Sequence, residues 1–123
     1  MSQDDATARP EATDVVMEEK LRRLKRARSG HKAYATRIGK ETSGLLENAV
    51  DGNAAIEDDI QTNKLIITDK ISAIKELDSE ILDLIDDQEY AKEFEVSSDY
   101  QRFLLKTLVS IEQWEKRQGS SDR

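Results

Sequence analysis

The residues of this chain that could carry out chemistry are few. His31 is the single histidine, and the chain has no cysteine. A general base needs a nucleophile or an acid within hydrogen-bond reach, and the sequence around His31 indicates no such arrangement. His31 also lies on a helical track of mostly apolar residues, so we interpret it as part of a packing seam. We therefore expect no enzyme activity and no catalytic residue.

Two short motifs resemble ligand-binding loops but lack residues that those loops need. A phosphate-binding loop aligned on Gly39 and Lys40 would need a glycine in place of Tyr34 and a serine or threonine in place of Glu41. A calcium-binding EF-hand loop spanning the turn near residue 52 would place Ala49 and Asp58 where an oxygen ligand and a glutamate are required. The sequence thus predicts no cofactor, no metal and no small-molecule substrate.

One basic segment, residues 20–40, points more directly to a ligand. It carries nine lysines and arginines and no acid, whereas residues 51–99 carry fifteen acids against four lysines. Six closely spaced cations could neutralise the phosphates of RNA or DNA, or they could pair with the acidic stretch. No aromatic residue is interleaved with them, so base stacking is not indicated. The six candidate nucleic-acid contacts are Lys20, Arg22, Arg23, Lys25, Arg26 and Arg28.

Composition favours long helices over a sheet protein. Of 123 residues, 37% are charged and 5% are aromatic, with five glycines and one proline to make turns. No apolar run approaches the roughly 18 residues of a membrane-spanning helix, and residues 1–14 are too polar for a secretory signal. We expect an intracellular protein, cytoplasmic or nuclear, although the lack of cysteine does not fix the compartment.

Hydrophobic periodicity supplies the strongest structural signal. Ile60, Ile67, Ile74 and Ile81 recur every seven residues, which places them on one side of a helix. A similar heptad pattern runs from Met17 to Ala49. The seam can be satisfied within one chain or between chains, and both remain open. The predicted packing or assembly seam consists of Ile60, Ile67, Ile71, Ile74, Leu77 and Ile81.

These patterns predict an all-α fold with three helices, at about 14–50, 54–85 and 88–117. Short connections imply antiparallel neighbours, so we expect a long antiparallel helical hairpin or a three-helix bundle with coiled-coil character. The polar residues 1–13 and 118–123 are interpreted as disordered tails. A cap-like stretch before Ser98 leaves open a later start for the third helix.

The apolar residues of the third helix form two groups in this interpretation. We expect Tyr90 and Phe94 to lie on the apolar face of this helix that packs in the bundle, and a second group of apolar residues to widen that face. The main face is then made of Tyr90, Phe94, Leu104, Leu108 and Ile111, and the second group is Tyr100, Phe103, Leu105, Val109 and Trp114.

Two stretches resemble a known family. Residues 21–32, LRRLKRARSGHK, are similar to the opening of the gag-like helical region at the N-terminus of BEL/Pao-type retroelement polyproteins and their domesticated relatives. Residues 77–87 and 93–100, LDSEILDLIDD and EFEVSSDY, look like its second half. The resemblance implies a role in assembling a particle or nucleoprotein, with no catalytic residues. The zinc knuckle and protease motif that usually follow are not in this chain.

From these observations we expect a non-catalytic helical interaction or assembly module. Its expected partners are a second copy of itself or another helical protein. The alternative is a nucleic-acid-associated module that binds phosphates through residues 20–40.

Overall fold

Three helices make up the described part of the chain. The structure, a computed structural model, describes residues 2–49 and 53–121, with side chains from 14 to 49 and from 53 to 118. The helices are α1 (Ser2–Glu47), α2 (Ala54–Leu84) and α3 (Asp87–Ser121). No strand occurs within those ranges. The predicted all-α class is therefore confirmed, and the three helices pack as a bundle.

The helix ends lie close to their predicted places in the middle of the chain and differ at the two termini. The α1 helix begins at Ser2 instead of near residue 14, and α3 runs on to Ser121. The side chains of 1–13 and 119–123 lie outside the described residues, so the predicted tails stay predictions. The α3 helix is continuous through Ser98, which excludes the later start.

Side-chain caps begin the second and third helices. The Asn53 side chain accepts a hydrogen bond from the Ile56 amide at 3.2 Å, which satisfies one of the free amides at the start of α2. Asp86, just before α3, accepts from the Glu89 amide at 3.1 Å. Asp51 and Gly52, which precede Asn53 in the sequence, lie outside the described part of the chain.

The first two helices run antiparallel. His31 of α1 lies beside Lys70 of α2, with Nδ1 and Nζ 3.1 Å apart, and Arg28 pairs with Asp78. The earlier α1 residue of the two, Arg28, therefore contacts the later α2 residue, Asp78. The basic residues of α1 around Arg28 therefore face the acidic end of α2 around Asp78.

The third helix returns parallel to α1 and antiparallel to α2. Thr36 Oγ1 of α1 lies 2.9 Å from Tyr100 Oη of α3. At the other end of the bundle Lys64 of α2 pairs with Glu115 of α3 at 3.0 Å. The order is therefore up, down, up, the arrangement that short connections produce.

A thin apolar core runs along the axis between the helices. Ile60, Ile67, Ile74 and Ile81 have no exposed surface. Ile60, Ile67 and Ile74 belong to one apolar cluster with Ala35 and Ile38 of α1 and Leu104 of α3. Ile71 packs against this core while half-buried, and Leu77 is also half-buried. The buried apolar residues are Ala35, Ile38, Ile60, Ile67, Ile74, Ile81, Leu104, Ile111 and Trp114.

The α3 face differs from its predicted composition. Leu104 and Ile111 are buried as expected, but Tyr90 and Phe94 are exposed, and they stack with ring centroids 6.2 Å apart. Phe94 lies ten positions before Leu104, which at 100° each places it 80° away around the helix, on a neighbouring face.

The buried isoleucines and the exposed Leu65 give a direct test of this core. Ile74→Ala should lower the free energy of unfolding by about 2–5 kcal/mol, because it removes a fully buried side chain and leaves a cavity. Leu65 is 72% exposed on the same helix, so Leu65→Ala should change the free energy of unfolding by less than about 0.5 kcal/mol. Urea denaturation followed by circular dichroism measures both. Equal losses for the two variants would contradict the packing described above.

Candidate functional site

His31 lies between α1 and α2 and forms no catalytic arrangement with its neighbours. Its Nδ1 accepts a hydrogen bond from the Lys70 ammonium at 3.1 Å, since an ammonium can only donate. A small cavity of about 240 Å³ beside it is lined by residues that include Ala27 and Glu80. Within the described side chains, this geometry fits a half-buried structural histidine.

Arg28 forms ion pairs with carboxylates on both of the other helices. Its Nη1 donates to Asp78 Oδ1 at 2.9 Å and forms an ion pair with Glu93 Oε1. The three side chains are 11%, 8% and 20% exposed respectively. Burial lowers the Arg28 pKa, but the hydrogen bonds and charges of the two carboxylates outweigh it, so the pKa lies above its usual value. One guanidinium therefore links all three helices.

This ion pair network changes the interpretation of the basic segment. Arg28 faces the bundle interior, where it is not available to a nucleic acid, although the sequence placed it among six phosphate contacts. The signal was present in the sequence, because Arg28 falls on the heptad track that also holds Leu21, Ala35 and Thr42. A charge on a seam position is better interpreted as a buried partner than as a surface contact.

The other five predicted contacts stay at or near the surface. Arg23 pairs with Glu19 at 3.0 Å on the exposed side of α1, and such a pair contributes little to stability. Lys20, Arg22 and Arg26 are exposed and make no ion pair with any described residue, and Lys25 is half-buried. Of the six predicted contacts, Arg28 is therefore the one that forms an ion pair with the acidic α2 helix.

Exposed cations form a row along the outer side of α1. Arg22, Arg26, Arg37 and Lys40 fall within about 60° of each other around the helix, at 100° per residue. Arg37 lies over the Tyr34 ring at 5.0 Å from its centroid. The row is about 27 Å long at 1.5 Å per residue, which spans several phosphates of a nucleic-acid strand.

Lys32 and Tyr100 join α1 to α3 beside the Arg28 network. The Tyr100 hydroxyl donates to the Lys32 carbonyl at 2.7 Å, and the Lys32 ammonium lies 4.9 Å from the Tyr100 ring centroid. Burial lowers the pKa of Lys32, and the nearby Arg28 charge lowers it further. Burial also raises the Tyr100 pKa. These contacts are structural, since they fix the spacing of two parallel helices.

A groove of about 530 Å³ opens between α2 and α3. Its apolar walls are Ile71 and Leu82 on α2, and Phe94 and Leu105 on α3. Phe94 and Leu105 are 53% and 50% exposed, so the α3 wall is accessible to a partner.

The floor and rim of this groove are polar. Asp78 and Ser97 on the floor are buried, and Asp78 Oδ2 and Ser97 Oγ have no hydrogen-bond partner among the described residues. Lys75 and Arg102 lie on opposite walls and form no ion pair with a described residue. The groove therefore offers apolar surface flanked by two free positive charges.

The far end of the interface between α2 and α3 is closed by polar contacts. Glu115 accepts from Gln61 Nε2 at 2.9 Å and from Lys64 Nζ at 3.0 Å. The bond from Gln61, and then the charge and bond of Lys64, hold the Glu115 pKa below its usual value despite partial burial. The opening thus lies at the end of the bundle that holds Arg28.

The described residues contain no group of three or more histidines and acids placed to hold a metal ion. None of their helices has an apolar stretch long enough to cross a bilayer.

Comparisons of this chain with protein-family models, with curated protein sequences and with solved structures all returned no match.

The Arg28 network can be tested by removing its shared cation. Arg28→Met should lower the free energy of unfolding by about 3–5 kcal/mol, because Asp78 and Glu93 would be left buried without a counter-charge. The matched control is Arg26→Met, at an exposed position two residues away, for which we expect a change within about 0.5 kcal/mol. Urea titrations of both variants provide the measurement, and a harmless Arg28→Met would refute the network.

Proposed function

We propose that this chain is a non-catalytic helical interaction module that associates with a second copy of itself or with another helical protein. The observation that carries the proposal is a stripe of exposed apolar residues on α3. Tyr90, Phe94, Leu105 and Val109 are all exposed and fall within about 100° around the helix. Single exposed apolar residues are ordinary, but a row of large ones beside a groove is typical of a protein interaction surface.

The isoleucine seam does not supply this interaction surface. Its four heptad isoleucines have no exposed surface in one chain, so a partner would have to unfold the bundle to reach them. Association through the outer α3 stripe requires no such change. The resemblance to the gag-like region implies that this association assembles a particle, which stays a prediction.

Self-association gives the first test. The full chain should show a rising average mass in light scattering between about 10 µM and 1 mM, the range of weak interfaces. Phe94→Ser with Leu105→Ser should abolish this rise by removing apolar contact area. The control is Val96→Ser, on another side of α3 and also exposed.

The outcome separates the two kinds of partner. A chain that remains a monomer over the whole range does not associate with itself, and pull-down with a library of helical peptides then decides whether another helix binds. Failure of both measurements refutes the proposal.

A second candidate function is supported by the exposed row of Arg22, Arg26, Arg37 and Lys40. These cations have no acidic partner among the described residues, so counterion release on phosphate contact would favour binding to RNA or DNA. The net charge of -7 opposes the binding of RNA or DNA, so attraction of a nucleic acid would depend on this one face of α1.

Salt dependence tests the nucleic-acid candidate. A short single-stranded RNA should bind at low salt, and Arg22→Ala with Arg26→Ala should flatten the plot of log K against log salt by about 1.4, which corresponds to two phosphates. Lys92→Ala with Lys106→Ala, on α3, is the charge-matched control. Binding that is undetectable at low salt, or that is unaffected by the α1 pair, excludes this function.

A further inference from the structure

The projecting start of α1 carries apolar residues that no part of the bundle covers. All described side chains from 14 to 20 are exposed, with Val15 at 60% and Val16 at 65%. Glu19 lies between the two valines around the helix and one turn further on, and Glu18 lies to one side. Residues 14–19 therefore present a small apolar patch bordered by carboxylates.

This patch and the groove between α2 and α3 have complementary chemistry. The groove has apolar walls and two unpaired cations, Lys75 and Arg102, at its rim. An apolar anchor flanked by acids fits a groove flanked by bases, because charge complementarity sets register and orientation at an interface. Arg28 offsets one of the two negative charges of Asp78 and Glu93, and the two rim cations outnumber the one that remains.

The segment cannot reach the groove of its own chain. Arg28 of α1 lies level with Asp78 and Glu93, at one end of the groove. Since α1 and α3 are parallel, the α3 wall of the groove lies beside later residues of α1, and the α2 wall extends only to Leu82, about 6 Å beyond Asp78 in the other direction. Residues 14–19 lie on the other side of Arg28, about 14–21 Å further along a continuous helix at 1.5 Å per residue.

We propose that the groove between α2 and α3 receives residues 14–19 of α1 from a second copy of this chain. Val15 and Val16 pack against Phe94 and Leu105, and Glu18 and Glu19 lie near Lys75 and Arg102. Reciprocal exchange between two copies closes a two-fold dimer, whereas one-way exchange extends the assembly. This inference rests on the proposed self-association and names the two surfaces that meet.

A charge-swap experiment tests the proposal on the full chain. One variant reverses the groove, Lys75→Glu with Arg102→Glu, and the other reverses the segment, Glu18→Lys with Glu19→Lys. Each variant alone faces like charges across the interface, so its dissociation constant in sedimentation velocity should rise about tenfold or more. An equimolar mixture restores opposite charges at both contacts and should recover association close to that of the natural sequence.

The control reverses two exposed lysines that do not line the groove, Lys40 on α1 and Lys92 on α3. Lys40→Glu with Lys92→Glu makes the same change in net charge as the groove variant, so it should leave the dissociation constant within about twofold if the groove is the specific site. Circular dichroism of every variant confirms that the helices are retained. Association that is equally weak in the control would show a net-charge effect and overturn the proposal.

The remaining outcomes separate this inference from the proposed function. Association that is unchanged in both charge variants, or not recovered in the mixture, overturns the groove contact while self-association stands. A natural chain that stays monomeric overturns both. If that monomer binds the probe anilinonaphthalene sulfonate and the groove variant does not, the occupant is a small amphipathic anion instead of a second copy.

Discussion

The bundle depends on one row of isoleucines that has no contact with water. Ile60, Ile67, Ile74 and Ile81 repeat every two helical turns, so a single straight face of α2 stays between α1 and α3 along its length. In a chain with so many charged residues, this face supplies four of the nine buried apolar side chains that are described. The charged residues then occupy the outside of each helix, and the surfaces available to partners are those that the isoleucine row leaves uncovered.

The sequence predicted the fold well because periodicity is a local signal. The heptads of α2 and the short breaks after residues 47 and 84 specify helices and their antiparallel order without reference to distant contacts. The surfaces were harder to predict. The α3 helix has more apolar residues than one narrow seam can hold, and only the packed angle between helices decides that Leu104 lies inside and Phe94 outside.

Electrostatic roles were predicted less well for a related reason. A run of cations is equally consistent with a phosphate-binding face and with internal ion pairs, and the difference is the direction in which each side chain points. Arg28 points inward to Asp78 and Glu93, whereas Arg22 and Arg26 point outward. The position of Arg28 on a heptad track was the one local clue, and the run of basic neighbours obscured it.

The shared guanidinium also constrains how this sequence can change over time. Lysine at residue 28 would keep the charge, but its ammonium is more strongly hydrated than a guanidinium and costs more to bury. Losing one member leaves a buried charge unbalanced, while replacing all three with apolar residues can be neutral. Residues 28, 78 and 93 are therefore coupled, and a substitution at one becomes tolerable only after substitutions at the others.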